Sequence, residues 1–580
     1  MKGGFIPSFI YLRFLNIKKH YILKKKSALL LTLIAFTSIG YAQLIPSTAG
    51  QIHGNVQVLM QQYNEDSLIG ASVPPEKFGL NAYGNIIYTK DNFSAGIRYE
   101  SYLPAINGFP GRFKGSGIGY RFARYQHQKF DITIGNFYEQ FGSGMTFRSY
   151  EERNLGIDNA MDGFRLIYRP INGITIKGIV GKHRLDFESG LINSEEIIRA
   201  VDGEININEV FNEKLGEKKT KITLGGSFVS KFQKGDLLEK ESLFLTIPQN
   251  VALGSGRLGI IRGGVTFFGE YVNKINDPSF DNGYIYKNGE ALLLQTGYSK
   301  KGFGVNVSAK MVDNMSYRSN RDLVLLDGPI NFLPTITKQH TYNLAATLYP
   351  YATVINGETG LMIDLFYKIK KKTRLGGKYG TLVSLNYAAV NNLDTTNLQG
   401  LDGIVYGYER NSLMPGNEKF VRDLNIEISR KINKKLKLKY TFFDLEFNTL
   451  VTAVTNDFKG IVYADIHVLE VGYKIKSKHS IRTEFQLLTT NQDKKDWATV
   501  VAEYNWSPHW FVSILDQYNY GNDDSTKKIH YLFGTFGYIN GSNRISVGYG
   551  KRREGIFCVG GICRSVPASN GLEITLTSSF

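Results

Sequence analysis

The chain has 580 residues, of which 42% are hydrophobic and 13% aromatic, with 35 Tyr, 36 Phe and only 3 Trp. Its mean hydropathy is −0.20. After residues 1–42 it carries no apolar run near the ~20 residues that a spanning helix needs, so a helical membrane protein is excluded. A transmembrane β-barrel is not excluded, because the polar lumen face of a barrel dilutes its apolar outer face.

The formal net charge of the whole chain is +17. Seven of its 69 lysines and arginines fall in residues 1–42, which hold no acid, so the remainder has 62 bases against 52 acids. These bases are scattered without a block or stripe, which argues against a nucleic-acid partner. The modest basic excess suits contact with outer-membrane lipid and anionic lipopolysaccharide, or simply a solvated surface.

Residues 1–42 have the features of a secretory signal peptide. A basic region that includes Lys18, Lys19 and Lys24 precedes an apolar stretch, Ala28–Phe36, and Gly40-Tyr41-Ala42 supplies the small residues of a cleavage site before Gln43. We therefore expect export, a short periplasmic segment at residues 43–50, and a barrel over residues 51–580. So short a segment leaves no room for a plug domain ahead of the barrel.

From Gln51 onward, apolar and polar residues alternate at the period of a β-strand. In the first run, Val56, Val58 and Met60 oppose Asn55, Gln57 and Gln61. Further predicted strands are Phe78–Thr89, Phe93–Tyr102, Ile118–Tyr125, Phe130–Tyr138, Phe164–Arg169, Ile174–Lys182, Ile222–Lys231, Val265–Lys274, Ala291–Ser299, Phe303–Met311, Tyr342–Leu348, Leu361–Lys368, Leu382–Ala389, Val421–Arg430, Leu436–Phe447, Val462–Lys474, Ile481–Thr489, Ala498–Asn505, Phe511–Tyr518, Ile529–Tyr538 and Ile545–Gly550.

The connections between these strands alternate between short and long. Very short turns such as Lys90-Asp91-Asn92 and Asn540-Gly541 are interspersed with long connections, namely Leu103–Gly115, Gln140–Asp162, Gly235–Arg262, Asn391–Lys419 and Asn491–Asp496. Short periplasmic turns and longer extracellular loops are typical of outer-membrane barrels. The sequence therefore predicts an all-β fold: a large antiparallel transmembrane β-barrel of about 20–24 strands.

The strand count is ambiguous within Tyr317–Glu358, because the short turns on either side of it cannot both be periplasmic with the strands predicted. A strand is missed or added there, and Asp322–Leu326 is the best candidate for a missed one. Asn331–Pro334 is an alternative that folds inward as a loop.

The segment Ile134–Pro170 is rich in charge and glycine. Folded into the lumen, it would oppose acids and bases and form a charged pore constriction that selects solutes. The candidate constriction residues are Glu139, Arg148, Glu151, Glu152, Arg153, Asp158 and Asp162. The alternative is an outer loop held by exposed ion pairs, each of which contributes only ~0–1 kcal/mol.

The two cysteines lie in the stretch Cys558-Val-Gly-Gly-Ile-Cys563. Gly560-Gly561 suits a two-residue hairpin turn, with Val559 and Ile562 beside it and the two cysteines opposite each other. This geometry and an oxidising periplasm predict a disulfide on an extracellular hairpin. A metal or redox pair is the rival interpretation, but neither CxxC spacing nor a histidine cluster supports it.

The last ten residues form the closing strand. Leu572, Ile574, Leu576 and Phe580 fall on one face and polar residues on the other. An amphipathic strand with a terminal Phe resembles the targeting signal that the barrel insertion machinery recognises, which makes this machinery an expected partner. The alternative is the edge strand of a soluble sheet. We therefore predict location in the outer membrane of a Gram-negative cell.

Three stretches together indicate a family. Ile134–Pro170, Asp313-Asn314-Met315 and the run from Gly555 to Arg564 resemble an uncharacterised family, a domain of unknown function, of outer-membrane proteins from Bacteroidota. The resemblance covers most of the mature chain. It implies an envelope location and a barrel but no substrate, and it gives no catalytic residue.

The most direct function for such a barrel is a porin-like channel that passes small solutes through a polar lumen. One alternative is a non-transporting scaffold whose lumen is filled and whose outer loops dock a surface or secretion partner. A remote alternative is a barrel-type hydrolase that uses Asp465 and His467, which share a strand face. We expect no enzyme activity, no cofactor and no metal, although Asp394–Asn397 and Asn522–Asp524 are weak calcium candidates that lack the full ligand spacing.

Overall fold

A computed structural model of the protein describes residues 49–235, 237–240, 243–399, 405–450, 460–559 and 562–580. The predicted signal peptide, its cleavage site and the Gly560-Gly561 turn lie outside these residues. Over the described part, 24 antiparallel strands form one closed barrel. The all-β barrel fold is thereby confirmed.

The barrel strands, numbered in chain order, are β1 (Gln51–Tyr63), β2 (Phe78–Lys90), β3 (Phe93–Tyr102), β4 (Phe113–His127), β5 (Phe130–Phe137), β6 (Met161–Tyr168), β7 (Ile174–Glu188), β8 (Ile197–Asn206), β9 (Thr220–Phe232), β10 (Asn250–Arg262), β11 (Val265–Lys274), β12 (Gly289–Lys300), β13 (Phe303–Asp313), β14 (Gly357–Ile369), β15 (Thr381–Gln399), β16 (Val405–Lys431), β17 (Leu436–Asn448), β18 (Ile461–Lys476), β19 (His479–Thr489), β20 (Trp497–Trp506), β21 (Trp510–Tyr518), β22 (His530–Asn540), β23 (Asn543–Arg552) and β24 (Ser569–Ser579).

The barrel closes between its first and last strands. In β1, Val58 is opposite Leu576 of β24 on one side and Ala82 of β2 on the other. The side chain of Glu573 accepts hydrogen bonds from Gln61 and Arg552. Because side chains alternate along a strand, Leu572 and Ile574 lie on the face opposite Glu573. The role of this strand in targeting stays a prediction.

The outer surface of the barrel is an apolar belt with aromatic rings near the ends of the strands. Large apolar side chains that are exposed when no lipid surrounds the protein include Ile134, Phe228, Leu469 and Phe536. Exposed aromatic residues lie near the ends that carry the short turns, among them Phe93, Tyr125, Phe130, Tyr298, Tyr473 and Trp506. Such girdles mark the two bilayer interfaces, and the protein is an outer-membrane barrel of the Gram-negative type.

The predicted asymmetry of the connections is also confirmed. Two-residue turns join β2 to β3, β4 to β5, β10 to β11 and β12 to β13 at one end of the barrel. At the turn between β22 and β23, Gly541 has φ 58°, a left-handed conformation that glycine adopts without a Cβ clash. The longest connections, residues 138–160 and 314–356, emerge at the other end.

Helices and short strands occur only in connections of the described part. The helices are α1 (Ile207–Val210), α2 (Asn212–Leu215) and α3 (Asn343–Leu348), with 3-10 turns at Ser67–Ile69, Phe280–Asn282 and Ser525–Lys527. Short strand pairs are Glu139–Phe141 with Phe147–Ser149, Glu151–Glu152 with Ile157–Asp158, Leu237–Lys240 with Leu243–Thr246, and Gly555–Val559 with Ile562–Val566; Leu191–Asn193 pairs with the end of β7. None of the helices among the described residues has the length and apolar character needed to cross a bilayer.

Five details of the predicted strand map are wrong. The predicted strand Tyr342–Leu348 is replaced by α3, and Asp322–Leu326 lies in a connection without a strand. Strand β8 was not predicted, and β10 falls inside the predicted connection Gly235–Arg262. Much of the predicted connection Asn391–Lys419 belongs to β15 and β16, which extend as a tall hairpin.

Candidate functional site

The lumen is occupied by residues 314–356, here called the lumen segment, which connect β13 to β14. Its two ends meet at the wall, where Asp313 is paired with Gly357. Its first half, residues 314–334, packs in a cluster of buried residues that includes Met315, Tyr317 and Ile330. The wall contributes inward-facing apolar side chains of β7 to β13 to the same cluster, such as Ile179, Val229, Leu253, Val272 and Leu293.

Three buried wall lysines bind the backbone of this first half. The Lys231 ammonium donates to the Arg318 carbonyl at 2.9 Å, and Lys274 donates to the Ser316 carbonyl at 2.6 Å. Lys310 donates to the Pro334 carbonyl at 2.6 Å. Charged donors form stronger hydrogen bonds than neutral ones, so these contacts fix the path of the chain along β9, β11 and β13.

Two of these lysines are also paired with buried carboxylates. Lys231 lies 2.7 Å from Asp277, and Lys310 lies 2.5 Å from Glu358, with at most 1% of any of the four side chains exposed. Removal of one partner from such a pair leaves an uncompensated charge in an apolar interior, which costs several kcal/mol. The first half of the lumen segment is thus held by charge as well as by packing.

The second half, residues 335–351, lies against the opposite wall. It contains α3, whose Leu344 and Ala345 are buried. Inward-facing apolar residues of β16 to β19 cover this side, among them Phe443, Leu445, Val462, Ile466 and Leu488. The lumen face of this wall is therefore apolar, in contrast to the polar lumen that the sequence led us to expect.

Polar contacts of the second half involve single side chains. His340 Nε2 lies 2.5 Å from a carboxylate oxygen of Asp423. The Leu344 amide donates to Gln486 at 3.0 Å, and Gln517 donates to Asn343 at 2.7 Å. The Tyr349 hydroxyl donates to Asp493 at 3.0 Å, and burial together with that carboxylate raises the pKa of Tyr349.

A cavity of about 460 Å³ separates the second half from the wall. Its apolar lining includes Ala346, Tyr349, Leu445, Phe447 and Phe557. Lys338, Thr341, Asn343 and the His340–Asp423 pair supply its polar groups. This volume lies within the range of about 300–1,000 Å³ that is typical of small-molecule sites.

Residues 138–160, here called the inner loop, form a second body in the lumen. The Arg148 amide donates to the Ile330 carbonyl at 2.8 Å, and the Phe332 amide donates to the Gly144 carbonyl at 3.0 Å. Asn159 donates to the Pro329 carbonyl at 2.7 Å. The inner loop and the first half of the lumen segment are thus joined through their backbones.

A buried ion-pair network ties the inner loop to the wall. Arg184 of β7 donates to both oxygens of Glu100 at 2.7 Å, and to Asp158 of the inner loop at 2.8 Å. Arg98 of β3 bonds the same two carboxylates. The Arg184 and Glu100 side chains are 0% exposed. Of the predicted constriction residues, Asp158 is therefore neutralised by two arginines.

Glu151 joins this network through Arg98, which lies 3.1 Å from its carboxylate, and the remaining predicted constriction residues make other contacts. Glu139 pairs with Arg165 and Lys177 of the wall, and Arg153 pairs with Glu151 and lies over the Tyr83 ring. The Arg148 guanidinium lies between the rings of Tyr150 and Phe332, at 4.3 and 4.1 Å from their centroids, and burial lowers its pKa. Glu152 accepts from the Asn154 amide.

Asp162 is on the other face of β6 from Met161, which belongs to the lumen cluster. It pairs with Arg121 and accepts a hydrogen bond from Asn193. The structure therefore places six of the seven predicted residues in or at the inner loop and leaves Asp162 on the outer face. A role in solute selection stays a prediction for these six.

The predicted disulfide between Cys558 and Cys563 is confirmed, with the two residues paired across the hairpin Gly555–Val566. We call this hairpin the cysteine hairpin. The Cys558 carbonyl accepts a hydrogen bond from Gln339 of the lumen segment, and Arg564 donates to the Asn154 carbonyl of the inner loop. The hairpin is thus in contact with both bodies in the lumen, and its Phe557 lines the cavity.

Arg553 connects β23 to the cysteine hairpin and also contacts α3. Its guanidinium bonds the Thr347 hydroxyl and lies 5.3 Å from the centroid of the Trp497 ring. Burial lowers the pKa of Arg553 to about 10. The cysteine hairpin and α3 therefore share a boundary at the top of the cavity.

The remaining candidates lie outside the lumen. Asp465 and His467 are exposed residues of β18 that alternate with the buried, lumen-facing Ala464 and Ile466, so they are on its outer face. His467 bonds the Tyr440 hydroxyl. Asp394 accepts from Asn411, and Asp524 caps the turn Ser525–Lys527. Among the described residues, no group of three or more His, Cys, Asp or Glu side chains is placed to hold a metal ion.

The sequence did not identify the three wall lysines or the lumen segment. Lys231, Lys274 and Lys310 each occupy a lumen-facing position of a strand, which a strand pattern assigns to an ordinary solvated side chain. Two signals were available. The short turns on either side of Tyr317–Glu358 could not both be periplasmic, and Asn331–Pro334, the alternative predicted to fold inward as a loop, does lie in the lumen, with Leu333 in the buried cluster.

The family model described as "Family of unknown function (DUF6029)" matches residues 23–580 of the chain. No curated protein matches it. The prediction of an uncharacterised family is thereby confirmed, whereas an origin in Bacteroidota stays a prediction.

Solved structures of outer-membrane proteins are similar at low identity. The siderophore receptor PirA from Pseudomonas aeruginosa is 10% identical, with 91% of this chain and 80% of PirA covered and a TM-score of 0.38. OccAB4 from Acinetobacter baumannii is 8% identical, with 80% and 97% covered and a TM-score of 0.32. OpdQ from Pseudomonas aeruginosa is 8% identical, with 91% and 96% covered and a TM-score of 0.29. Similarity at this level carries no argument about activity.

Proposed function

The chain belongs to the DUF6029 family, for which no function is assigned, and we propose that it is a gated outer-membrane channel for small solutes. The observation that carries the proposal is the cavity of about 460 Å³ between residues 335–351 and the wall. Elsewhere the lumen segment is packed against the wall, as in the buried cluster around Tyr317. The cavity beside residues 335–351 indicates that this part of the lumen segment has space to move.

The proposed path runs between the second half of the lumen segment and strands β16 to β19. Displacement of α3 would open the cavity toward the outer connections. Toward the short turns, the inner wall continues as an ion-pair network in which Glu470 lies 3.5 Å from Lys439 and 2.8 Å from Arg482. A charged, hydrated stretch of this kind accepts polar solutes once they pass the apolar section.

We also propose that the inner loop contributes to selectivity. Both Arg148 and Arg153 are charged groups of the inner loop: Arg148 lies between the rings of Tyr150 and Phe332, and Arg153 lies over the ring of Tyr83 in the wall. Arg148→Glu and Arg153→Glu should shift the reversal potential toward cations in a salt gradient. An unchanged reversal potential in correctly folded variants would remove this role.

An engineered disulfide tests the gating proposal. A Cβ atom at position 555 would lie 3.5 Å from the Cβ of Thr347, within the span of about 3.5–4.5 Å that a disulfide needs. In the variant T347C/G555C, oxidation should therefore lock α3 to the cysteine hairpin. We expect single-channel openings in planar bilayers to be lost on oxidation and regained on reduction.

The variant T223C/G259C is a matched control. A Cβ at position 259 would lie 3.7 Å from the Cβ of Thr223 in the neighbouring wall strand, so this bond crosslinks the wall without touching the lumen segment. Wild-type protein under the same reductant controls for reduction of the native disulfide. Openings that persist in oxidised T347C/G555C would contradict the gate.

A second candidate is the non-transporting scaffold, which the filling of the lumen by the lumen segment and inner loop favours. Its outer loops, such as the tall hairpin of β15 and β16, would then dock a protein partner. If reduced T347C/G555C, the control variant and the wild type all show no single-channel openings, the result would support the scaffold and contradict the channel.

A further inference from the structure

We infer that the cavity beside α3 binds an aromatic carboxylate. The inference rests on the proposed function, because it names the class of solute that would occupy the proposed path. It is argued from the lining of the cavity, which has an aromatic part and a cationic part.

The aromatic part comes from three separate elements of the chain. Tyr349 follows α3, Phe447 belongs to β17 and Phe557 belongs to the cysteine hairpin. The rings of Tyr349 and Phe447 are 5.8 Å apart at 47°. Ring pairs at such distances and angles accept a further ring edge-to-face, so a flat aromatic body suits this part better than a flexible aliphatic one.

The cationic part is Lys338. Its ammonium makes one hydrogen bond, a long one of 3.4 Å to the neutral side-chain oxygen of Asn425. Among the described residues, no carboxylate lies within 4.0 Å of it, whereas Lys231 and Lys310 are each paired with an acid. Lys338 is an exposed residue in the lining of the cavity. A lysine there without an acid partner is complementary to a ligand that carries one negative charge.

The one carboxylate among the described lining residues is engaged by protein side chains. Asp423 is 3% exposed. One of its oxygens contacts His340 and the other accepts from Asn425. Lys338 is the one lysine or arginine among the described residues that line the cavity, and it is therefore the group that would meet a ligand carboxylate.

Binding of three small probes to the full-length protein in detergent tests the inference by isothermal titration calorimetry. Benzoate carries both a ring and a carboxylate, benzamide keeps the ring without the charge, and acetate keeps the charge without the ring. We expect benzoate to bind about tenfold more tightly than benzamide, since a hydrogen bond to a charged group adds about that factor. We expect no measurable binding of acetate.

Two variants locate the site. Lys338→Gln should weaken benzoate binding about tenfold and leave benzamide binding unchanged, whereas Lys528→Gln, at an exposed outer-loop lysine, should change neither. Ala346→Phe should fill the cavity and abolish the binding of both aromatic probes. Retained heat-modifiable migration on gels shows that each variant is folded.

The outcomes separate this inference from the channel. Benzoate binding that depends on Lys338, in a protein without openings, would support the site and contradict passage. Single-channel openings that are controlled by the T347C/G555C disulfide would support passage. If benzoate and benzamide then bind with equal affinity, or if Lys338→Gln leaves the benzoate affinity unchanged, the ligand class would be overturned. Failure of all three probes to bind the wild type would likewise overturn it.

Discussion

The two halves of the lumen segment are continuous in sequence but are held in the lumen by different forces. Residues 314–334 are bound by buried lysines through backbone carbonyls and are packed in a buried cluster next to the inner loop. Residues 335–351 contact the wall through apolar side chains and through separate side-chain hydrogen bonds, such as those of Leu344 with Gln486 and Tyr349 with Asp493, and a cavity lies beside them.

This difference indicates which half of the lumen segment resists displacement. Pulling a carbonyl away from its buried lysine breaks a charge-assisted hydrogen bond in an apolar interior, and that cost is large over a short distance. Sliding an apolar face along another apolar face costs only the area exposed, about 25 cal/mol per Å². One half therefore acts as a fixed body and the other as a movable one.

The largest effect is expected from Lys310→Met. The variant leaves Glu358 buried without its cation and the Pro334 carbonyl without its donor, because the Lys310 and Glu358 side chains are both 0% exposed. We expect a loss of about 3–5 kcal/mol in the free energy of unfolding, measured by urea titration in lipid vesicles.

The double variant K310M/E358Q is the matched control for that loss. A glutamine at position 358 removes the charge but keeps an acceptor for the Tyr351 hydroxyl and the Val354 amide. It should recover most of the stability. A single variant as stable as the wild type would show that the first half is not held by charge.

Two substitutions of alanine by phenylalanine compare the packing of the two halves of the lumen segment. Ala291 is fully buried in the wall beneath the first half, so Ala291→Phe should overpack it and cost about 1–3 kcal/mol. Ala346 lines the cavity, so Ala346→Phe should change stability by less than about 0.5 kcal/mol. Equal costs in urea unfolding would remove the distinction between the halves.

Hydrogen exchange followed by mass spectrometry compares their local opening. In the first half, the Ile330 amide donates to the Tyr317 carbonyl and the Met315 amide to Ile355, inside a buried cluster. Amides of residues 343–348 lie beside the cavity and should exchange at least about tenfold faster, which corresponds to about 1.4 kcal/mol in opening free energy. Equal protection would argue against a movable second half.

The smallest effect is expected from His340→Gln. The His340 ring packs edge-to-face on Phe443 with centroids 4.8 Å apart, and that contact is lost while a donor for Asp423 is kept. We expect a loss of about 1 kcal/mol in unfolding free energy and faster exchange in α3 alone. Faster exchange at Met315 as well would mean that the halves move together.

The outer wall of the barrel could be predicted from sequence because lipid-facing residues repeat at a strict period of two. The two unpredicted strands lack that signal. In β10, Gly254 and Gly256 occupy lipid-facing positions, where an apolar side chain would give the signal. In β8, the lumen-facing Asp202 is satisfied by Arg257 at 2.6 Å, a partner that is remote in sequence. Alternation alone cannot anticipate such pairs.

The lumen segment could not be predicted because both faces of its wall are apolar. In β18, Tyr463 and Leu469 face outward while Val462 and Ile466 face the lumen. A pattern cannot tell which apolar face meets lipid and which meets chain. Tyr342–Leu348 also fits the period of a strand. It forms α3 instead, because a segment inside the lumen has no neighbouring strand with which to pair. The cysteine hairpin was predictable because its pairing is local, and the closing strand was predictable because its own residues alternate at a period of two.

The pairing of Asp313 with Gly357 has a mechanical consequence. Both ends of the lumen segment are attached to adjacent strands of the wall, so the segment is a tethered loop rather than a plug that can detach. It can swing or reshape, but it cannot leave the barrel, and the width of any opening is bounded by how far residues 335–351 can retreat from β16 and β17. Because the lumen segment stays attached at both ends, solutes larger than the space vacated by α3 and its flanking residues would be excluded.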